Sequence, residues 1–428
     1  MDVLENLGLD PRIVISGVML SIVLVFILYR RFLVSIFDPL TLFMFAQIGD
    51  VSVLWAFPLL FTYKWQFMAY FLCLWAGFAI KGKAISTGPA IVFDQESLFD
   101  LKFILTILCL LIVASNLYLG LKAGFPLLSA NPTGAKYTIY TDGLGFVRRI
   151  NTGPYFLLCA GCSLLAVIGQ NRRFALTIIT VSTSLVMLGG AKSVLLPLLL
   201  TYSLATLHKG VSPGKEFNKS VRKYLFLFLG AGTAIALIVT TKDRGGLVAG
   251  IQGFLLRLLL FGDVILFYYP RHEIVMTLVD PSILGYLQNV SGDLLGLLRI
   301  GNYQTAALGS LILGSEDGGP NVQYFVIADL FFGPALGCLY CFLAGILIGT
   351  ARNEFFRSQT KSAVKLSVQL FLAIVAFDFA TEAGSFVTEI AVMFLFLLPL
   401  YVLARLCRYA LSNPFSSSSP RVLENEGG

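Results

Sequence analysis

Runs of about twenty apolar residues follow one another along most of this chain, and they limit its fold more than any other feature. The first run, Ile13 to Tyr29, contains no charged residue and ends at Arg30 and Arg31. Charged residues make up 13% of the chain and its mean hydropathy is +0.82, whereas soluble domains are roughly one quarter charged. The sequence therefore predicts an all-α, polytopic integral membrane protein.

Eleven transmembrane helices are expected from these runs. The segment Asp2 to Arg12 lacks the basic region and the cleavage site of a secretory signal, so the first helix is expected to stay in the protein. Residues 1–411 are predicted to form a single transmembrane domain, and the serine-rich residues 412–428 a disordered cytoplasmic tail. The predicted spans are about 13–29, 39–62, 66–80, 103–120, 150–169, 174–189, 193–207, 224–240, 329–350, 366–382 and 386–404.

Lysine and arginine concentrate on one side of this topology. Nineteen of the 31 lie there, among them Arg30, Arg31, Arg172, Arg173 and Arg352. Cytoplasmic loops are enriched in these residues, so this side is expected to be cytoplasmic, with the N-terminus in the periplasm and the C-terminus inside. No basic patch with interleaved aromatic residues indicates a nucleic-acid partner.

One connection, from about Thr241 to Val322, is far longer than the others and is expected to form a large periplasmic loop. It is too apolar to be disordered, so a functional loop is expected. Its segment Leu247 to Tyr269 is interpreted as an interfacial or re-entrant helix, because Arg257 and Asp263 would each cost about 2.5–3.5 kcal/mol at the bilayer centre. A twelfth span is the alternative.

Four cations are predicted to hold a phosphate or pyrophosphate at the outer surface. They are Arg244, Arg257 and Arg271 in the long loop and Lys192 in the glycine-rich turn 189–193. Arginine binds phosphate oxygens bidentately and keeps its charge, and glycines allow backbone N–H groups to approach an anion. Headgroup contacts and local ion pairs are the alternative for each arginine, and close helix packing is the alternative for the turn.

Residues 271–273 (Arg-His-Glu) form the candidate acid–base site. Histidine accepts a proton from a hydroxyl near neutral pH, and a buried glutamate can do the same, so either His272 or Glu273 is predicted to be the catalytic base. Tyr268 and Tyr269 precede them, and their aromatic faces would suit the apolar side of a sugar ring. A surface charge cluster at a helix end is the alternative.

Five carboxylates fall within or at the ends of the apolar runs, where ionisable groups are functional candidates. Two of them, Asp378 and Glu382, are predicted to share one helix face near its outer end, where they can meet the loop arginines or carry protons in a transporter. The seven cysteines are interpreted as packing residues, and no metal or cofactor is expected. The five carboxylates are Asp50, Asp329, Asp378, Glu382 and Glu389.

Three local motifs accompany the long loop. The stretch 188–196 (LGGAKSVLL) closes one helix and opens the next, 318–321 (GGPN) closes the loop, and 328–337 (ADLFFGPALG) enters a helix that contains Gly345. Together with the single large loop, these motifs resemble the Wzy-type O-antigen polymerases, the oligosaccharide repeat-unit polymerases of bacterial surface polysaccharide assembly. Relatives tend to carry arginine after the glycine-rich stretch, where this chain has Lys192.

The resemblance implies a GT-C-like fold and a metal-independent glycosyltransferase at the periplasmic face of the bacterial inner membrane. Its substrate would be an undecaprenyl-pyrophosphate-linked oligosaccharide repeat unit, which it would polymerise for lipopolysaccharide or a related polysaccharide. A chain-length regulator and a flippase would be its partners, besides the lipid bilayer. His272 or Glu273 would then deprotonate the acceptor hydroxyl, while the four cations named above stabilise the departing pyrophosphate.

Two other functions are compatible with the sequence. An O-antigen ligase would use the same donor but transfer the glycan to the lipid A core. A flippase or proton-coupled transporter would use the intramembrane carboxylates. Transporters commonly consist of two matched halves, and no internal repeat is evident here.

Overall fold

The fold was analysed in a computed structural model. It describes residues 11–35, 38–56, 61–82, 91–129, 145–169, 171–189, 195–208, 263–297, 308–313 and 322–412, with isolated positions between 135 and 246. Every regular element in these ranges is a helix, which confirms the prediction of an all-α chain. Five of the described helices are long and apolar enough to cross a membrane: Gln95–Ala123, Val147–Ile168, Tyr324–Arg357, Ala363–Thr381 and Ala383–Leu411.

Eight α-helices precede the long loop in the described ranges. They are α1 (Pro11–Tyr29), α2 (Pro39–Ala56), α3 (Phe61–Ile80), α4 (Gln95–Ala123), α5 (Gly145–Arg149), α6 (Gly153–Ile168), α7 (Arg172–Leu188) and α8 (Leu195–Leu207). The predicted span at 224–240 lies almost entirely outside the described residues. Residues 247–262 of the predicted interfacial segment 247–269 and the tail after Ser412 lie outside them as well.

The described part of the long loop is helical rather than extended. It contains α9 (Asp263–Tyr268), α10 (His272–Leu278), α11 (Ile283–Leu297) and α12 (Leu308–Leu313), with a 3₁₀ turn at Tyr269–Arg271 between the first two. The C-terminal part follows with α13 (Tyr324–Ile327), a π-helical turn (Ala328–Phe332), α14 (Gly333–Arg357), α15 (Ala363–Val375), α16 (Asp378–Thr381) and α17 (Ala383–Ser412).

Two hydrophobic clusters divide the interior. One joins α4, α6, α7, α8, α15 and α17, and the other joins α1, α2, α3, the loop helices and α14. Large apolar side chains also face outward: Leu336, Leu339 and Leu343 of α14 are each more than half exposed. An exposed apolar stripe of this kind suits a helix whose outer surface meets lipid.

Glycine allows α3 and α14 to pack against each other at backbone distance. A Cβ atom on Gly345 would collide with the Leu74 carbonyl, and a Cβ atom on Gly77 would collide with the Phe342 carbonyl. Small residues are common at such membrane-helix contacts because van der Waals packing, rather than exclusion of water, holds the helices together. This contact fixes α3 beside α14 along most of their lengths.

Several connections meet at one end of the bundle, which we call the basic face. The Asp94 backbone N–H donates to the Lys361 carbonyl at 3.1 Å, and Asn353 Nδ2 donates to the Lys81 carbonyl at 2.6 Å. The fold thus brings together ends that are distant in sequence. The basic face is defined by Lys81, Arg357, Lys361, Arg405 and Arg408.

Arg352 corrects one sequence-based assignment. The sequence places it among the cations of the cytoplasmic loops, but its side chain is 1% exposed and forms an ion pair with Asp38, whose side chain is fully buried. Its Nε lies 3.2 Å from Asp38 Oδ1, and its Nη2 also donates to the Phe32 carbonyl at 2.9 Å. This bidentate pair anchors the connection between α1 and α2 to α14.

Breaking the Asp38–Arg352 pair should destabilise the protein strongly. Asp38→Leu or Arg352→Met alone leaves one buried charge unpaired, which costs about 3–5 kcal/mol. The double variant removes both charges and should recover much of that loss. The melting midpoint in detergent measures this, with Arg357→Ala at the exposed end of the same helix as control. A double variant no more stable than the single variants would contradict the interpretation.

Candidate functional site

His272 and Asp329 form an ion-pair contact where the long loop meets the helix bundle. His272 Nε2 lies 3.1 Å from Asp329 Oδ2, and the side chains are 19% and 6% exposed. His272 is the first residue of α10, whereas Asp329 belongs to the π-helical turn before α14. The two residues are 57 positions apart in the sequence, so only the tertiary fold places them in contact.

Three donors surround the Asp329 carboxylate. Tyr268 donates its hydroxyl to Oδ2 at 2.6 Å, and the Gln66 side-chain amide donates to Oδ1. His272 Nε2 is the third donor when it carries the ring proton. An ionised carboxylate only accepts hydrogen bonds, and this set of donors compensates for the water that it loses on burial.

The hydrogen bonds assign the tautomer of His272. Because Asp329 accepts from Nε2–H, the neutral ring has its lone pair on Nδ1. The Tyr63 hydroxyl lies 3.4 Å from that atom, and its ring packs against the imidazole with centroids 5.2 Å apart. The arrangement therefore presents a basic nitrogen beside a hydroxyl, with a carboxylate behind the ring.

The backbone break at Gly333-Pro334 explains why Asp329 is positioned here. Proline has no N–H, and its ring clashes with the carbonyl four residues earlier in a continuous α-helix. The chain forms a π-helical turn instead, and Gly333 takes a φ of +65°, which glycine adopts without steric cost. Such π turns are frequent at functional sites.

Helix α3 contributes one polar stripe to the site. Tyr63, Gln66 and Tyr70 recur at helical spacing on this helix, and Gln66 Nε2 donates to the Tyr70 hydroxyl at 2.8 Å. A second polar layer lies in the same cluster of helices, where the Tyr324 hydroxyl donates to Gln47 Oε1 at 3.0 Å. Buried polar groups therefore continue from the site into the bundle.

Tyr268 and Tyr269 are buried, which corrects the expectation that they stack on a sugar. They are 0% and 5% exposed, and their rings pack against each other with centroids 5.1 Å apart. Burial, together with the nearby Asp329 carboxylate, raises the pKa of the Tyr268 phenol. Tyr268 therefore stays protonated and acts as a donor to Asp329. The ring that is more exposed at this site belongs to Tyr63.

The site lies far from the basic face. Tyr63 lies in the first turn of α3, whereas Ile80 ends that helix next to Lys81. Ile80 is seventeen positions after Tyr63, which corresponds to roughly 25 Å at the helical rise of 1.5 Å per residue. A bilayer's hydrocarbon core is about 30 Å thick, so the site and the basic face lie at opposite ends of a membrane-sized bundle.

The cations predicted to bind phosphate fall into two groups. Arg271 immediately precedes His272 in the 3₁₀ turn and is exposed. Lys192, Arg244 and Arg257 lie outside the described residues. Glu273, the other predicted base, is exposed in the first turn of α10, whereas His272 is the member of that pair in contact with Asp329.

The carboxylates near the start of α17 differ from the predicted arrangement. The apolar run is interrupted at residues 376–377, and Asp378 begins the short helix α16. Glu382 caps that helix with φ −164° and ψ 85°, so it leaves the helical path and does not share a continuous helix face with Asp378. Glu389 is 9% exposed within α17, close to Gly153 of α6.

The sequence alone singles out His272 and Asp329 separately, without Tyr63, Gln66 or Tyr268 as donors. It does place two of these donors together, because Tyr63 and Gln66 are three residues apart and therefore lie on one helix face. It favours Tyr268 as an aromatic face for a sugar ring, since the position of Tyr268 beside His272 does not reveal its burial. The pairing of these groups with Asp329 depends on long-range contacts.

Comparisons with known proteins identify no relative: no protein-family model, curated protein or solved structure matches this chain. The interpretation of the site therefore depends on its own geometry.

The two histidines of the chain should differ in reactivity toward diethyl pyrocarbonate. His272 has a 19% exposed side chain, whereas His208 is 0% exposed and packs against Phe355. Mass spectrometry of the folded protein should find carbethoxylation at His272 at low reagent concentration and at His208 only after denaturation. Equal labelling of both histidines in the folded protein would contradict the described burial.

Proposed function

We propose that this chain is a membrane-embedded glycosyltransferase that extends a lipid-linked glycan. The donor is a glycan on a polyprenyl pyrophosphate, and the acceptor is a hydroxyl group of another lipid-linked repeat unit. The observation that carries the proposal is the His272–Asp329 pair, with Nε2 and Oδ2 3.1 Å apart, at the end of the bundle opposite the basic face. The resemblance to Wzy-type polymerases supports the same class of substrate.

His272 is the proposed general base. Its Nδ1 takes the proton of the acceptor hydroxyl while the hydroxyl oxygen bonds to the anomeric carbon of the donor. The bond between that carbon and the pyrophosphate oxygen breaks, and its electron pair leaves with the pyrophosphate. Asp329 holds the ring in the required tautomer and stabilises the imidazolium that forms, as a carboxylate does in other base–orienter pairs.

Tyr63 is the proposed positioning residue for the acceptor. Its hydroxyl lies 3.4 Å from His272 Nδ1, at the limit of a hydrogen bond. An acceptor hydroxyl can therefore take the place of the Tyr63 hydroxyl, or it can pass its proton to Nδ1 through the Tyr63 hydroxyl. Both routes deliver the proton to the same nitrogen. A half-exposed aromatic ring beside the base also offers an apolar face to a sugar.

Cations provide the proposed stabilisation of the leaving group. Arg271 stands next to His272, and a guanidinium group matches two phosphate oxygens without losing its charge. The sequence adds Lys192, Arg244 and Arg257 as candidates. Stabilisation of developing negative charge by fixed cations is commonly a large contribution to such transfers, and guanidinium groups can supply it.

The positive-inside distribution supports a periplasmic site. The basic face gathers cations from separate parts of the chain, and cytoplasmic ends of membrane proteins are enriched in lysine and arginine. The His272–Asp329 pair is then on the periplasmic side, with the C-terminus in the cytoplasm. Lipid-linked repeat units displayed on that surface would reach the site within the plane of the membrane.

Removal of the base or of its orienting carboxylate should abolish most of the activity. His272→Gln and Asp329→Asn should each lower the rate of glycosyl transfer by about 10²-fold or more, and Tyr63→Phe should cause a smaller loss. The measurement is polymer formation by the purified chain from a synthetic undecaprenyl-pyrophosphate-linked repeat unit. Variants should be compared at equal amounts of folded protein.

Two further variants provide a control and a test of the alternative base. Thr277→Ala changes an exposed residue of the same short helix and should leave the rate near that of the unmodified chain. Glu273→Gln tests the other predicted base. Full polymerisation by His272→Gln, with loss in Glu273→Gln, would transfer the role to Glu273 and refute the His272–Asp329 assignment.

The orientation can be tested with a membrane-impermeant maleimide. Glu273→Cys is exposed near the site and should react in intact cells after the outer membrane is permeabilised, because the proposal places it in the periplasm. Lys361→Cys, exposed on the basic face, should react only after the inner membrane is opened. The unmodified chain gives the background of the native cysteines, and the opposite labelling pattern would exclude a periplasmic site.

A proton-coupled carrier of lipid-linked glycans is the second candidate function. Glu389 is 9% exposed, and its Oε2 has no hydrogen-bond partner among the described residues, as in a carboxylate that binds and releases protons. The purified protein distinguishes the two functions. Release of polyprenyl pyrophosphate with formation of longer glycans supports the transferase, and movement of the intact substrate across liposomes without that release supports the carrier.

A further inference from the structure

A cavity of about 140 Å³ lies between α6, α7 and α8, in the hydrophobic cluster that does not contain the His272–Asp329 pair. Its lining is mostly apolar, and its polar members are Arg172, Ser163 and Tyr202. Six of its lining residues are Cys162, Arg172, Leu176, Ile179, Leu198 and Tyr202.

The cavity is closed on its inner side and reaches the outer surface of the bundle. Ile179 is 7% exposed, whereas Leu176 on the same helix is 48% exposed. The nearby hydroxyl groups of Ser163 and Thr201 are hydrogen-bonded to each other at 2.9 Å. These two hydroxyl groups therefore have no unsatisfied hydrogen bond to offer a ligand. An apolar cavity of this size stays free of water and binds apolar ligands.

Arg172 places a positive charge at one end of this cavity. It is exposed and begins α7, with Arg173 beside it and no acidic residue in the first turn. Among the described residues, no carboxylate lies within salt-bridge distance of Arg172. The guanidinium group is therefore available to an external anion.

The cavity belongs to the half of the membrane next to the basic face. Gly153, at the start of α6, lies against Glu389 near the start of α17, and the other end of α17 carries the cations of the basic face. The end of α6 and the start of α7 therefore lie toward the basic face. His208, which follows α8, packs against Phe355 near the end of α14, which agrees with this placement.

We propose that this cavity is a binding site for an anionic phospholipid of the leaflet at the basic face. The phosphate of the lipid pairs with Arg172, and a short stretch of one acyl chain enters between α7 and α8. A volume of about 140 Å³ resembles that of a cavity that accepts benzene, so it accommodates a few methylene groups. A sugar or a lipid headgroup does not fit in it, and a glycan would leave its hydroxyl groups unpaired there.

Charge, rather than the acyl chain, should determine which lipid binds. The bilayer is as apolar as the cavity, so moving a chain from one to the other contributes little. Arginine pairs with a phosphate as a rigid fork, and basic pockets between membrane helices bind anionic headgroups. The site is therefore expected to prefer a lipid with net negative charge over a zwitterionic lipid with the same chains.

Native mass spectrometry of the purified full chain tests this preference. The protein in detergent is titrated with phosphatidylglycerol or with phosphatidylethanolamine of the same acyl chains. Phosphatidylglycerol should bind about fivefold more tightly, the factor that one basic residue near an anionic headgroup supplies. Arg172→Gln should remove this difference. Arg173→Gln, the matched control, changes an adjacent exposed arginine that is absent from the cavity lining, and it should keep the difference.

Two more variants distinguish a loss of lipid binding from a loss of folding. Arg172→Lys keeps the charge and should keep the preference for phosphatidylglycerol. Leu176→Trp fills the opening beside Arg172 and should reduce that preference, because the lipid phosphate is kept away from the arginine. The melting midpoint without added lipid identifies variants that are merely destabilised. Equal binding of the two lipids by the unmodified chain would overturn the proposal. So would equal losses in Arg172→Gln and Arg173→Gln, or a folded Arg172→Lys variant without the preference.

Discussion

A charged group inside a membrane-sized bundle must find its partners within the protein, because lipid supplies no hydrogen bonds. This constraint explains two of the buried charged centres of the described fold. Asp329 accepts from Tyr268 and Gln66 and lies 3.1 Å from His272 Nε2, and Arg352 pairs with Asp38 and the Phe32 carbonyl. In each case the partners come from different elements, so the polar contacts also hold those elements together.

The two centres occupy opposite ends of the same pair of helices. Gly77 and Gly345 bring α3 and α14 to backbone distance, and one end of this pair carries Asp329 while the other carries Arg352. At the basic end, Asp38 and Arg352 form a buried ion pair. The Asp329 end instead contains a half-buried histidine whose Nδ1 faces the Tyr63 hydroxyl at 3.4 Å, which is the more suitable arrangement for proton transfer.

Each of the two hydrophobic clusters carries one of the two proposed ligand sites. The cluster with α3 and α14 carries the His272–Asp329 pair, where polar donors and aromatic rings suit a hydroxyl-bearing substrate. The cluster with α6, α7 and α8 carries an apolar cavity with one arginine, which suits an acyl chain and a phosphate. The proposed enzymatic site and the proposed lipid site therefore share a bundle but no described residue.

The sequence by itself determined the all-α membrane class and the candidacy of His272 and Asp329, and it predicted the side on which lysine and arginine collect. These follow from local properties: apolar run length, charge distribution and the cost of an intramembrane carboxylate. Only the tertiary structure decided that His272 meets Asp329, that Tyr268 is a buried donor, and that Arg352 is buried rather than in a loop. Each of these depends on contacts between distant segments, because burial and pairing are decided by helix packing rather than by the neighbouring residues in sequence.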